Sequence, residues 1–209
     1  MLNTITSGSI TGTDGVSYPY TVKEGLNILE TMKVQLEWTA EFINRFTQLV
    51  SDNPGVSQND LIVSNNLQDS HWNWVIKAHD FINRQDYIWF SLHANSAIQA
   101  MVIVYHPEKS RLEDRDVYYI DYLAVAPWNR VIGSSDKEFK GLGTLLLKEV
   151  GKYFDVSLKY PYGFSLHSLP QAATYYQGIG MVDFGPDPKK DNLHYFEMDS
   201  VDSKGFVYA

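Results

Sequence analysis

Hydrophobic residues recur at helical spacing over residues 24–50, and this pattern predicts one long amphipathic helix. A Pro-Gly pair within residues 51–55 ends it, and a polar loop follows. A second, shorter helix is predicted over residues 72–82, with Ser70 as its N-cap. Residues 1–22 precede both helices. They are rich in Thr, Ser and Gly, so we expect an irregular lead-in there.

The period then changes to the two-residue alternation that is typical of strands. Strands are predicted at 87–93, 98–105 and 117–126, and the last is apolar enough for a central position. The remaining predicted elements are a helix from Leu142, a strand at 163–169, a helix at 171–177 and two strands near 181–184 and 193–198. This order predicts a mixed α/β layer with helices on both faces of a sheet.

Composition narrows the class of protein. A chain of 209 residues with 44% hydrophobic and 14% aromatic content can bury a sizeable core, and we expect residues 1–209 to form a single domain. The net charge of -8 argues against a nucleic-acid partner, which needs a basic surface. The chain has no cysteine, so disulfides and thiolate catalysis are excluded.

Three further expectations concern metal, membrane and compartment. The six histidines are scattered without ligand spacing, so no metal site is predicted. No apolar run is long enough to span a membrane, and the N-terminus lacks the pattern of a secretory signal. A cytoplasmic protein is the expectation, and a homodimer is left open.

The segment Lys140-Gly141-Leu142-Gly143-Thr144 joins the apolar strand at 117–126 to a helix. Free N–H groups at a helix N-terminus and the helix dipole favour an anion, and glycine lets a phosphate approach the backbone. The dinucleotide fingerprint is excluded because its third glycine position holds Leu146. The P-loop is excluded because Thr144 directly follows Gly143, with no lysine between them.

Two local patterns in the C-terminal half resemble the GNAT superfamily of N-acetyltransferases. The first is the strand end Leu123-Ala124-Val125-Ala126-Pro127 followed by Glu138-Phe139-Lys140-Gly141-Leu142-Gly143. The second is Ala172-Ala173-Thr174-Tyr175-Tyr176-Gln177-Gly178-Ile179-Gly180-Met181. The resemblance covers residues 87–198 by element order and is sharpest over 117–198. It implies a mixed, mostly antiparallel central sheet that splays between the family's fourth and fifth strands.

The chain departs from the family pattern in three places. The loop between Pro127 and Gly141 is longer than usual and contains Ser134-Ser135. Glu138 occupies a position that is usually Gln or Arg, and its charge would repel a pyrophosphate unless it points away. The Asn that often precedes the last family helix is absent, and Ser168 is the nearest polar residue.

The resemblance implies acetyl-CoA as cosubstrate, bound in the splay. It places the pyrophosphate on the N–H groups of a short run of residues. This predicted set is Phe139, Lys140, Gly141, Leu142, Gly143 and Thr144. It also pairs the backbone of Leu123, Ala124 and Val125 with the pantetheine amides, in the way that an added strand pairs with a sheet edge.

Two catalytic residues are predicted. Tyr176 stands where the family often carries the acid that protonates the leaving thiolate, while Tyr175 is predicted to be a core aromatic. Asp121 shares a strand face with Tyr119 and could assist deprotonation of the acceptor amine. The alternatives are a packed Tyr176, and an Asp121 that is held in a buried ion pair or an inter-strand hydrogen bond. His167 is a second candidate for a water relay, although a lone strand histidine more often packs.

An acetyl-CoA-dependent N-acetyltransferase acting on the primary amine of a small cationic molecule is the first hypothesis. Glu113, Asp114 and Asp116 are expected to add negative charge near Asp121. An aromatic rim could hold the cation, and its candidates are Trp72, Trp74 and Trp89. The alternatives are a protein N-terminal or lysine acetyltransferase and a non-catalytic CoA-binding regulatory module.

Overall fold

The computed structural model describes residues 2–133, 136–160 and 162–209. Ser134-Ser135 and residue 1 therefore lie outside the described residues. Within these described residues, eight strands form one sheet: β1 (Asn3–Thr11), β2 (Ser17–Glu24), β3 (Tyr87–Ala94), β4 (Ala97–Lys109), β5 (Asp116–Val125), β6 (Phe164–Ser168), β7 (Val182–Asp187) and β8 (Leu193–Met198). Their order across the sheet is β1-β2-β3-β4-β5-β6-β8-β7. Neighbouring strands are antiparallel except β5 and β6, which are parallel.

Six α-helices accompany the sheet: α1 (Ile28–Asp52), α2 (Gln58–Ser64), α3 (Trp74–Phe81), α4 (Leu142–Val156), α5 (Ala173–Gly178) and α6 (Ser200–Tyr208). The mixed α/β architecture is as predicted. The side chain of Asn27 caps α1, and that of Asn73, rather than the predicted Ser70, caps α3. Two helices were not predicted: α2, within the predicted polar loop, and α6, at the C-terminal end of the chain.

The irregular lead-in predicted for residues 1–22 is wrong. These residues form the β1–β2 hairpin, and β2 pairs with β3 along the sheet edge. Val22 is fully buried by this pairing. The Thr, Ser and Gly content hid the strand period, which survives only as Tyr18, Tyr20 and Val22 at alternate positions.

The sheet is covered on both faces, as the element order predicts. One core lies between the sheet and α4, where Val102, Ile120 and Leu146 are among the buried residues. A second core lies under α1 and α3 and contains Trp38 and Trp89. Each face of the sheet therefore has its own helical layer, and the sheet separates them.

A β-bulge in β5 changes which side chains face which layer. Ile103 of β4 pairs with Tyr122, but the next residue, Val104, pairs with Ile120, so Asp121 has no partner in the register. Ile120 contacts the α4 core before the bulge and Leu123 contacts it after the bulge. Strict alternation would have placed these two side chains on opposite faces.

The strands β5 and β6 stay together only at their first residues. Tyr118, Tyr119 and Ile120 pair with Phe164, Ser165 and Leu166, respectively. Beyond this point β5 continues to Val125 beside β4, while β6 continues beside β8. The predicted splay is therefore present, and it opens a gap in the middle of the sheet.

Candidate active site

Two cavities open into the gap between β5 and β6. One, of about 580 Å³, lies beside the N-terminus of α4 and is called the loop cavity here. The other, of about 460 Å³, lies toward α3 and the turn after β7 and is called the acceptor cavity. Leu123 and Tyr176 line both cavities, so the two spaces meet at these side chains.

The N-terminus of α4 faces the loop cavity. Gly141 is its N-cap and has a φ of 72°, a left-handed conformation that favours glycine. The N–H groups of Leu142, Gly143 and Thr144 belong to the first turn, so they have no acceptor within the helix. A Cβ built on Gly143 would meet only Leu123 Cδ2, at 4.0 Å, so the approach to this backbone is open. The arrangement suits an anion.

A buried polar network holds the glycine loop in place. The Asn129 side chain accepts a hydrogen bond from the N–H of Phe139 (3.0 Å) and donates one to Gln99 Oε1 (2.7 Å). Gln99 is fully buried and also accepts from Trp128 Nε1 at 2.7 Å. On the other side, Thr13 at the hairpin tip donates its N–H to the carbonyl of Glu138 (2.8 Å).

This network corrects one predicted contact. Because the N–H of Phe139 is already bonded to Asn129, it is not free for a pyrophosphate, and the Phe139 ring is buried. The predicted donors are therefore reduced to the N–H groups of Lys140 through Thr144. The Glu138 side chain is exposed and does not line the loop cavity, whereas Lys137 and Lys140 do.

The edge of β5 forms one wall of the loop cavity through Leu123, Ala124 and Val125. The carbonyl of Val125 accepts a hydrogen bond from Arg130 Nε at 3.1 Å. The Val125 carbonyl is one of the backbone groups predicted to pair with pantetheine, and it already has a hydrogen-bond partner on the long loop.

A set of four side chains bridges the gap, and we name it the Asp69 clamp: Gln68, Asp69, Arg130 and Gln171. Asp69 is buried and accepts two hydrogen bonds from the Arg130 guanidinium, one of them 2.6 Å long. It also accepts one from Gln171 Nε2 at 3.1 Å. Gln68 and Gln171 exchange backbone-to-side-chain bonds of 2.8 and 3.0 Å. The segment after α2 is thereby tied to both sides of the gap.

Nothing in the sequence pattern singled out the clamp, because its hydrogen bonds join residues that are 61 to 103 positions apart. Burial raises the pKa of Asp69, but the hydrogen bonds and charge of Arg130 outweigh this effect and hold the pKa below its ordinary value. Asp69 and Arg130 are therefore both charged at neutral pH. Asp69 also lines both cavities.

Tyr176 and Tyr175 have opposite environments. Tyr176 is 7% exposed, and burial, with a smaller effect from Tyr175, raises its pKa, so the phenol keeps its proton at neutral pH. The prediction that Tyr175 is a core aromatic is wrong: it is 37% exposed, and its hydroxyl is hydrogen-bonded to Thr144 Oγ1 at 2.8 Å. Tyr175 therefore links α5 to the first turn of α4.

Asp121 lines the acceptor cavity at the β5 bulge. Burial raises the pKa of its carboxyl group, and the charges of Lys190 and Lys77 oppose that shift. Within the described residues no basic nitrogen lies at ion-pair distance from this carboxylate. A hydrogen bond from the Tyr87 hydroxyl of β3 also opposes the rise of its pKa, so of the two structural alternatives the inter-strand hydrogen bond has support and the ion pair has none.

The aromatic rim is smaller than predicted. Trp72 lines the acceptor cavity, but Trp74 and Trp89 are only 3% and 4% exposed and belong to the core under α1 and α3. Lys77 Nζ lies 3.1 Å from the ring centroid of Tyr122, another residue of the cavity wall. Burial lowers the pKa of Lys77 to about 8, although Asp121 and Asp80 oppose this.

The acidic residues before β5 do not reach the site. Asp116 forms an ion pair with Lys109, and Glu113 accepts hydrogen bonds from Arg115 and Ser200. None of Glu113, Asp114 and Asp116 lines either cavity. The expectation that they add negative charge near Asp121 is therefore wrong.

Tyr119 and His167 lie together on the wall of the acceptor cavity. The Tyr119 hydroxyl is 2.8 Å from Nδ1 of His167, and His167 Nε2 is 3.2 Å from Asp187 Oδ2. Asp121 lines the same cavity as Tyr119, although the bulge at Asp121 breaks the strand alternation from which a shared face was predicted. A lone packed histidine does not describe His167, because both of its ring nitrogens have partners.

Comparison with solved structures places this architecture among known folds. A GNAT-family acetyltransferase from Desulfovibrio desulfuricans aligns with a TM-score of 0.51 at 11% identity, over 87% of this chain and 99% of its own. The chain has the GNAT acetyltransferase fold. An uncharacterized protein from Bacillus halodurans aligns with a TM-score of 0.56 at 8% identity, over 98% and 96% of the two chains.

The PaiA N-acetyltransferase of Thermoplasma acidophilum, solved with coenzyme A, aligns with a TM-score of 0.49 at 10% identity, over 85% of this chain and 98% of its own. No protein-family model matches the sequence, and no curated protein matches it significantly. Identities this low relate folds only, so the roles of residues rest on the geometry above. No helix in the described chain is long and apolar enough to cross a bilayer.

The Asp69 clamp is expected to stabilise the fold. Asp69→Asn keeps the shape but leaves the partly buried Arg130 without its counter-ion, and we expect the free energy of unfolding to fall by about 3 kcal/mol. Because the pKa of Asp69 is lowered by folding, this difference is full above the ordinary carboxyl pKa of about 4 and shrinks as the pH falls below it. Urea unfolding at several pH values measures it.

Asp116→Asn is the matched control, since its partner Lys109 is exposed. Such surface pairs contribute about 0 to 1 kcal/mol. Equal losses in the two variants would show that the clamp does not stabilise the fold.

Proposed function

We propose that residues 1–209 form a single acetyltransferase-like domain that moves an acetyl group from acetyl-CoA to the primary amine of a small molecule. The observation that carries this proposal is the meeting of two cavities at Tyr176. One cavity has an open helix N-terminus for phosphate, and the other has the partly buried carboxylate of Asp121 for an ammonium group. Joined at a protonated phenol, they suit transfer of a group from one bound molecule to the other.

The loop cavity fits coenzyme A by its own chemistry. Its glycine backbone is open to a pyrophosphate, and Lys137 and Lys140 add positive charge to the wall. The remaining backbone groups at the β5 edge, around Leu123 and Ala124, would pair with amides of the pantetheine arm. An N–H group there would also polarise the thioester carbonyl.

Tyr176 and Asp121 would share the proton chemistry. Attack on a thioester needs a neutral amine, whereas most amines in water are protonated. Asp121 would attract the ammonium group and assist its deprotonation, directly or through water. Tyr176, buried and protonated, would donate a proton to the leaving thiolate.

The acceptor cavity favours a small molecule over a peptide. Its volume is about 460 Å³, and the Asp69 clamp bridges the gap beside it. A protein amine would need an open groove at that place. The regulatory alternative loses its main argument, since the Glu138 side chain is exposed and lies off the wall of the loop cavity.

The decisive experiment incubates the protein with acetyl-CoA and a panel of polyamines, aminoglycosides, amino acids, arylamines and peptides, and measures thiol release and acetylated product. We expect transfer to a small cationic amine, and we expect its rate to fall as salt screens the carboxylate. Release of CoA with peptides alone would favour the protein acetyltransferase. Coenzyme A binding without release for any amine would favour the regulatory module.

Gly143→Val should abolish coenzyme A binding, because the added side chain covers the helix N-terminus. The fold should persist, since only Leu123 lies as close as 4.0 Å to the new Cβ. Isothermal calorimetry with coenzyme A measures the change. Gly205→Val is the control, because it also sits in a helix with open space around it. Unchanged affinity in folded Gly143→Val protein would exclude this phosphate site.

Tyr176→Phe removes one hydroxyl and should leave packing and coenzyme A affinity intact. We expect kcat to fall by about 10- to 1,000-fold, as for loss of a general acid. Tyr208→Phe is the control, since its hydroxyl is bonded to Asp155 and the residue lines neither cavity. Wild-type kcat in Tyr176→Phe, with the chemical step shown to limit the rate, would assign Tyr176 to the core alone.

A further inference from the structure

A chain of hydrogen bonds leads away from the acceptor cavity. It runs from the Tyr119 hydroxyl to Nδ1 of His167 (2.8 Å) and from Nε2 of His167 to Asp187 (3.2 Å). The three residues come from β5, β6 and the end of β7, so the sheet itself sets their spacing. The His167 side chain is only 8% exposed, which limits competition from bulk water.

The chemistry of the partners sets the direction of these bonds. An ionised carboxylate only accepts, so Nε2 of His167 carries the proton and donates to Asp187. Nδ1 is then the acceptor and takes the hydrogen bond from the Tyr119 hydroxyl. The remaining lone pairs of the Tyr119 oxygen are left for the acceptor cavity, whose wall includes Tyr119.

We propose that Asp121 attracts the ammonium group of the acceptor and that Tyr119 receives its proton, while Tyr119 passes its own proton to Nδ1 of His167. This inference rests on the proposed acetyl transfer. One N–H bond of the ammonium breaks and one O–H bond forms, while the phenol O–H bond breaks and an N–H bond forms on the imidazole. The products are a neutral amine, a neutral tyrosine and an imidazolium. Tyr119 contacts the acceptor, and His167 and Asp187 are positioning residues.

The charges around His167 agree with this role. Burial has the largest effect and lowers the pKa of His167, whereas Asp187 raises it. The charges of Lys190 and Arg111 also lower it, and the pKa stays below its ordinary value. The imidazole is therefore neutral at pH 7 and can accept a proton. The rings of Tyr119 and Tyr195 pack against it without adding charge.

Asp187 would stabilise the imidazolium that the transfer forms. The backbone N–H of Lys189, followed by the bond to His167, lowers the pKa of Asp187, so the carboxylate is ionised. Arg111 lies 3.3 Å from Asp187 and is half-exposed, which places this end of the chain toward solvent. Asp121 lies two residues from Tyr119 and, after burial, helps to raise the pKa of that phenol, which keeps its proton.

The first test compares His167→Gln with His194→Gln, using the amine selected from the panel. His194 has a similar carboxylate partner, Asp183 at 3.0 Å, but lies exposed on β8 outside the cavity. We expect His167→Gln to lower kcat about 100-fold, with the KM for acetyl-CoA unchanged, and His194→Gln to leave both unchanged. Equal behaviour of the two variants would overturn the relay.

The pH profile of kcat/KM separates the relay from a merely structural role. His167 must be neutral and Asp121 ionised, so the acidic limb of the wild-type profile should steepen toward a slope of two. His167→Gln and Asp121→Asn should each reduce the slope by one. Asp187→Asn keeps the shape of the side chain and provides a second variant if His167→Gln fails to fold. Because the Asp187 carboxylate raises the pKa of His167, this variant should move the part of the acidic limb that reports His167 to lower pH. An unchanged limb in His167→Gln or Asp187→Asn would refute the proposal.

A second test needs no activity. In protein labelled with ¹⁵N-histidine, NMR should show the Nε2–H tautomer of His167 and a titration below the ordinary histidine pKa of about 6.5. An Nδ1–H tautomer, or a charged His167 at pH 7, would overturn the relay. Absence of acetyl transfer by the wild type would refute the proposed function and the relay together, whereas full activity of His167→Gln would refute the relay alone.

Discussion

The short parallel pairing of β5 and β6 is the constraint on which the site depends. Two adjacent strands that share only three residue pairs leave part of each edge without a neighbour inside the sheet. Backbone polar groups in such a gap need partners from elsewhere. The carbonyl of Val125 accepts a hydrogen bond from Arg130. The neighbouring edge at Leu123 and Ala124 lines the loop cavity, where an extended molecule could pair with its backbone groups.

Polar interactions, rather than additional apolar packing, hold the gap open. The Gln99–Asn129 network fixes the glycine loop from the β4 side, and the Asp69 clamp ties the loop after β5 to the start of α5. The Gln99–Asn129 pair and Asp69 are buried, so each unmet hydrogen bond there would be costly, and the geometry is strongly specified. These polar contacts set the positions of the glycine loop and of the start of α5 on either side of the gap.

Elements of the fold could be predicted from the sequence where the pattern that marks them lies within one short segment of the chain. Periodicity found β3, β4, β5 and α4, because side-chain alternation and helical spacing are local. The β1–β2 hairpin was missed, since Thr, Ser and Gly blur an edge strand into a loop. The bulge at Asp121 was also missed, because a register shift is a property of two strands and not of one.

The features of the candidate site also fall into two groups: those contained in one segment of the chain and those that join distant residues. The glycine loop could be predicted, because the glycines and the start of α4 lie in one segment. The hydrogen bonds of the Asp69 clamp and of the Tyr119–His167–Asp187 chain join residues that are 20 to 103 positions apart, and no spacing rule connects them. Tyr175 was misassigned for a related reason, because an apolar helix of six residues does not reveal which of two adjacent tyrosines faces the core.

The acidic balance of the chain describes its whole surface and not its site. Glu113 and Asp116 are engaged with Ser200 and Lys109 away from the gap, so they cannot set the field at the acceptor cavity. There the local charges are Asp121 opposed by Lys190 and Lys77. Asp121 is partly buried, so its interaction with these two close cations outweighs that with distant surface charges, which salt screens. The field in this cavity therefore depends on where the β5 bulge places Asp121, and not on the net charge of the chain.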